Sequence, residues 1–185
     1  MIAYPVIPET ITVHLGTPDS DAQNVTLPFA DYIKNVASSE IYPTWPEEAI
    51  RANVLAQISV ALNRVYTEFY RSRGYDFDIT STPANDQTFV YQRDIYDNVS
   101  SVVDDLFRSY LRRPGRVEPL FARYCDGIEV KCNGLSQWGS LALANQGLSA
   151  MEILQRYYGE DIELVENAPI GNVTESAPPV LLEEG

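Results

Sequence analysis

"PEEAIRANVLAQISVALNRVYTEF", Pro46 to Phe69, decides how the rest of the chain is read. Ile50, Val54, Ile58, Leu62, Val65 and Phe69 recur at intervals of four, four, four, three and four, the period of one helix face. Pro46 presets φ for a first helical turn, and Glu47 and Glu48 suit the positive end of a helix dipole. The pattern predicts a long central helix ending near Arg73-Gly74.

Upstream, residues 1–9 read as an extended lead-in with prolines at 5 and 8. "TITVHLG" (10–16) alternates apolar and polar residues and predicts a strand, with His14 on its polar, exposed side. "TPDSDAQN" reads as a turn. "LPFADYIKNVASSE" (27–40) spaces Phe29, Ile33 and Val36 as a short amphipathic helix.

Downstream, "YDFDIT" and "QTFVY" read as short strands joined by the loop "STPAND". Val99, Val102, Val103, Leu106, Phe107 and Tyr110 predict a helix from about Asn98 to Arg112. "EPLFARYC" has strand composition. "SQWGSLALANQG" and "SAMEILQRYYG" read as helices, the first ended by Gly147, the second capped by Ser149 and stopped by Gly159. "IELVE" is a last strand. This irregular mixture gives an α+β class: one compact domain over 10–166, with a long central helix, short strands and a cleft. Residues 167–185 lack periodicity and read as an acidic, proline-containing linker or tail.

The 185-residue chain carries 13 Lys+Arg against 26 Asp+Glu, a net charge of -13. Such a surface repels phosphate backbones and anionic membranes, so neither nucleic acid nor a membrane surface is an expected partner. No apolar run is long enough for membrane insertion, and the start shows no signal-peptide pattern. No Walker loop, dinucleotide fingerprint, nucleophile elbow or zinc-protease helix is present, and no cofactor is expected. Cys125 and Cys132 flank Asp-Gly and Asn-Gly turn signals, so a hairpin would bring their sulfurs together as a disulfide; two free thiols are the equal alternative. A zinc site is disfavoured, because the sole histidine lies far away in sequence and no metal ligand set emerges.

With one histidine, the available chemistry is that of carboxylates among aromatics. Glu40 closes the 27–40 run and precedes the corner Ile41-Tyr42-Pro43-Thr44-Trp45-Pro46. It is either a solvated helix-end charge or a general acid, its pKa raised by desolvation beside Tyr42 and Trp45. The two aromatic rings would then stack on sugar. Ser136 and Gln137 either bind a glycan or cap the helix that begins there, and Asp86 and Gln87 either line a cleft or form an Asx-type loop. Trp138 reads as a core residue, with a stacking platform as the alternative, and Tyr157 and Tyr158 read as packing.

Two separated segments carry a resemblance. "LPFADYIKNVASSEIYPTWPEEAIRANVLAQ" (27–57) resembles the helix "Y-L-x-x-V-V-A-x-E-M", proline corner and "E-A-L-K-A-Q-A-V-A-A-R" of the sporulation stage II protein D and amidase-enhancer (SpoIID/LytB) family. "GLSQWGSLALANQGLSAMEILQRYYG" (134–159) is similar to that family's "G-M-S-Q-Y-G-A" signature and its closing Tyr-Tyr helix. Asp86-Gln87-x-Phe89 lies between them.

The resemblance implies a peptidoglycan-acting domain of the cell envelope or spore, cleaving glycan strands as a lytic transglycosylase with Glu40 as acid and then base. It implies glycan strands as partner, with other cell-wall or sporulation proteins beside them. It also exposes departures. The family arginine falls on Ile58, which the helix period assigns to the core. Lys131-Cys132 stands where His-Gly is usual, which favours a disulfide over the zinc site of some members. A cation near Glu40 would have to come from Lys131, Arg51 or Arg123. These losses favour the alternative of a catalytically silent glycan-binding or scaffold module. "PPVLLEEG" is similar to the entry of a peptidoglycan-binding repeat, which implies a longer wall protein.

Overall fold

The computed structural model describes residues 4–171. It has the α+β architecture anticipated, with short strands in small sheets around one long helix. That helix, α2 (Glu47–Tyr66), is buried on nearly every face from Ala49 to Leu62. α1 (Phe29–Glu40), α3 (Asp97–Leu106), α4 (Gln137–Asn145), α5 (Ala150–Tyr158) and strand β4 (Tyr110–Arg112) all pack against it. A helix enclosed on all sides needs small residues as well as an apolar stripe. Ala52, Ala56 and Ala61 supply them.

Polar groups on α2 are used as ties. Ser59 Oγ accepts from the backbone N–H of Leu111 at 2.9 Å, fixing β4. Asn53 Nδ2 donates to Ser140 Oγ at 2.8 Å, fixing α4. Glu48 at the start of α2 accepts from Ala150 N at 2.6 Å, which joins the first turns of α2 and α5. Ser149 and Glu152 form the reciprocal capping box of α5.

β1 (Thr10–His14) is the middle strand of a three-stranded sheet, antiparallel to β2 (Asn24–Pro28) and parallel to β3 (Ile79–Thr80). β4 pairs antiparallel with β7 (Glu163–Val165), and β5 (Tyr124–Cys125) pairs parallel with β6 (Leu135–Ser136). Ile7 bridges Ile170, and Ala168 is fully buried, so both described ends of the chain pack onto the domain. No helix among the described residues is long and apolar enough to cross a membrane. The peptidoglycan-repeat likeness of "PPVLLEEG" and most of the proposed 167–185 linker lie outside the described residues.

Several local expectations are corrected. α2 stops at Tyr66, not near Gly74, because Glu68 takes a left-handed φ of 50° and the chain turns into a short 3-10 helix, Arg71–Arg73. α3 ends at Leu106; Tyr110 continued its apolar period, but β4 forms there by pairing with β7. β2 occupies residues read partly as turn and partly as helix start, its half-buried Val25 and Leu27 giving too short an alternation to register. "QTFVY" forms no strand: Asn35 of α1 accepts from Val90 N and donates to Val90 O, standing in for a partner strand. "EPLFARYC" and "YDFDIT" reduce to two-residue strands at their ends.

His14 is 5% exposed, not on an open face. Phe77 stacks on its ring at 4.5 Å, while Asn24 Oδ1 and Ser20 O meet its two nitrogens. The loop before β3 covers what the strand alternation marked as the outer side.

Candidate active site

Glu40 is the last residue of α1 and lines a cavity of about 530 Å³ together with Ser39, Ala84, Thr88, Tyr124, Asp126 and Gln137. Its side chain is half-buried. Oε1 accepts from Tyr124 Oη at 2.6 Å and from Gln57 Nε2 at 3.1 Å; Oε2 accepts a longer bond from Thr88 N at 3.3 Å. No ion pair to Glu40 occurs among the described residues. Desolvation dominates and pushes its pKa up from 4.5 to about 7, against the pull of the Tyr124, Thr88 and Gln57 hydrogen bonds. The acid is therefore partly protonated near neutrality, and Oε2 has the spare capacity to carry the proton.

A buried relay sets the donors. Tyr32 Oη donates to Gln87 Oε1 at 2.7 Å. Gln87 Nε2 donates to the carbonyl of Gln57 at 2.9 Å and to Tyr124 Oη at 3.1 Å. With its oxygen occupied as an acceptor, Tyr124 directs its own proton to Glu40. Burial, with the charge of Glu40 next, pushes the Tyr124 pKa well up, so this hydroxyl stays a neutral donor.

The other residues singled out by sequence are placed as follows. Gln87 is fully buried and acts behind Tyr124 rather than in the cavity. Asp86 borders the cavity, but its oxygens are engaged: Oδ1 with Arg64 Nε at 2.7 Å, Oδ2 with Tyr70 Oη at 2.6 Å and Thr80 Oγ1 at 2.6 Å. It holds the cavity wall together. Ser136 Oγ caps α4 by accepting from Gly139 N at 2.9 Å. Gln137 is 7% exposed and lines the cavity, and its Nε2 has no hydrogen-bond partner among the described residues. Tyr42 lies 55% exposed just past Glu40, with Trp45 8% exposed beneath it. Of the two readings of Trp138 the core one fails: it is 38% exposed beside them. Tyr158 packs as anticipated, donating to Arg123 O at 2.7 Å.

Cys125 and Cys132 are joined in a disulfide, which closes the loop on the cavity's rim, but the expected hairpin does not form, because β5 pairs parallel with β6. Within it Asp126 Oδ1 accepts from Val130 N at 2.9 Å and Ile128 N at 3.0 Å, bonds that hold its pKa below the usual carboxylate value. Gly127, at a φ of 82°, lies against Ser136, where a Cβ would collide with the hydroxyl. No cluster of three His, Cys, Asp or Glu able to hold a metal ion occurs among the described residues. Ile58 is 0% exposed, as its place in the stripe anticipated. Of the three candidate cations, Arg51 is committed to Glu47 and Asp105, Lys131 is exposed, and Arg123 lines an adjoining lobe of about 300 Å³.

Tyr124, Gln57 and Thr88, the immediate partners of Glu40, were not singled out from the sequence. Gln57 left a trace there: with Asn53 it forms a polar pair four residues apart inside the apolar helix. Tyr124 left none.

The corner that carries Glu40, with the helices on either side of it, is also where comparison with known families finds its match. Residues 20–106 match the SpoIID family model, stage II sporulation protein. The matched span covers β2, α1, the Glu40 corner, α2 and α3. The SpoIID match bears out the first of the two sequence resemblances; the segment 134–159 lies outside the matched residues. It points to a function tied to sporulation and the cell wall. No curated protein matches the chain.

Proposed function

We propose that this SpoIID domain cleaves peptidoglycan glycan strands as a lytic transglycosylase, with Glu40 as acid and base. The observation that carries it is the Glu40 carboxyl on the cavity wall, with a pKa raised to about 7 and no ion pair among the described residues. Such a group holds a proton at neutral pH and gives it up to a glycosidic oxygen. As the C1–O bond breaks, the leaving oxygen takes the proton and Glu40 becomes a carboxylate. The sugar's own 6-hydroxyl then attacks C1, and its proton returns to Glu40. The product is a 1,6-anhydro ring, no water is consumed, and a second carboxylate is not needed, unlike in ordinary glycosidases. Tyr124 and Gln57 stabilise the carboxylate formed midway, and Gln137 Nε2 offers a free donor to the glycan.

A second reading, a silent glycan-binding module, is favoured by Ile58: the position of the family arginine holds an apolar core residue. Digestion of purified glycan strands separates the two. Wild type is expected to yield anhydro-muramyl ends by mass spectrometry and Glu40→Gln none. Folded wild-type protein that yields no such ends would leave only the binding module. Equal product from Glu40→Gln would remove Glu40 from the mechanism.

A further inference from the structure

Three aromatic rings, from residues next in the chain to the cavity wall, meet one another. Trp45 forms the base, with Tyr42 at 5.9 Å and Trp138 at 5.2 Å between ring centroids. Tyr42 and Trp138 stand 5.8 Å apart and tilted by 48°, both open to solvent. Trp138, in the first turn of α4, stays open, while Trp45, just ahead of α2, is buried.

These rings are tied to the cavity wall through the backbone at three points. Tyr42 follows Glu40 by two residues, Trp138 follows Gln137, and Trp138 N donates to Asp126 O at 3.1 Å. Glu40, Gln137 and Asp126 all line the cavity. Gln137 Nε2 is buried and has no partner among the described residues, a costly state that a ligand acceptor would relieve. Apolar ring faces beside an unused amide donor suit a molecule with an apolar face and a carbonyl: a pyranose bearing an N-acetyl group. The net charge of -13 works against anionic occupants such as nucleic acid or an acidic lipid surface.

We propose that Tyr42 and Trp138 form an outer sugar subsite of the Glu40 cleft, stacking one N-acetylhexosamine ring of a chain whose neighbouring residues occupy the cavity. This rests on the cleft being a glycan site. Its particular consequence is length dependence: a chain long enough to reach both the cavity and the two rings binds tighter than one that fills the cavity alone.

The test uses Glu40→Gln protein, which binds without turnover, titrated with N-acetylglucosamine oligomers of two to six units by calorimetry and tryptophan emission. The hexamer is expected to outbind the dimer, with a change in emission. Trp138→Ala should weaken the hexamer roughly tenfold and leave the dimer nearly unchanged. Trp138→Phe should restore most of the loss, because a ring face remains. Equal affinity of Trp138→Ala for the hexamer, or equal weakening at every length, would overturn the subsite. So would binding of the two rings to lipid vesicles or to a second copy of the chain in place of sugar. If the oligomers do not bind while anhydro ends still form from glycan strands, the subsite falls and the cleavage reading stands. If length-dependent binding holds and no anhydro ends form, cleavage alone falls.

Discussion

Tyr124 donates its hydroxyl to Glu40 Oε1 at 2.6 Å, joining residues 84 apart in sequence. The bond favours the ionised carboxyl, so it opposes the desolvation that raises the Glu40 pKa. Tyr124→Phe should therefore move that pKa above about 7, by roughly one pH unit for a hydrogen bond to a charged group. The alkaline limb of the cleavage rate, where Glu40 loses its proton, should shift upward by the same amount. Carbon NMR of the Glu40 carboxyl checks it without relying on activity.

Glu40 should also leave a mark on stability. Its folded pKa of about 7 lies above the ordinary 4.5, so the folded state holds a proton that the unfolded chain has released between these values. Stability is then full below about 4.5 and falls by roughly 3 kcal/mol as pH rises through 7. Urea unfolding at pH 5 and pH 8 should show this loss in wild type and its near absence in Glu40→Gln.

Asp86 should behave as a structural group. Its side chain is fully buried, with Arg64, Tyr70 and Thr80 on its oxygens. Asp86→Asn strands the Arg64 charge and should cost roughly 3–5 kcal/mol, lowering Tm by about 10 °C. The affinity of the remaining folded protein for N-acetylglucosamine oligomers should change little. A large loss of affinity with an unchanged Tm would mean that Asp86 meets the ligand.

Restoring the family arginine should not help. Ile58 is fully buried among apolar neighbours, so Ile58→Arg places an unpaired charge in the core. A drop in Tm of roughly 10 °C without any gain in anhydro ends is expected, by thermal denaturation and product analysis.

The elements legible in the sequence were those whose signal is local. The four-residue period of α2, the caps of α5 and the turns around Cys125 and Cys132 depend on neighbours within a few positions. Where an element needs a distant partner, the pattern misled. The apolar period of α3 ran on to Tyr110, and only pairing with β7 turns that stretch into a strand. "QTFVY" has strand composition, but the side chain of Asn35 occupies its backbone groups.

By itself the sequence determined the class, the central helix, the family resemblance and the choice of Glu40 at the proline corner. Only the tertiary structure decided what surrounds that carboxyl. Burial and hydrogen-bond donors set a pKa, and Gln57, Thr88 and Tyr124 bring them from 17, 48 and 84 residues away. The same reason explains His14 and Trp138, one covered by Phe77 and the other left open beside Tyr42. A side chain's exposure belongs to whatever packs over it, and no local pattern encodes that.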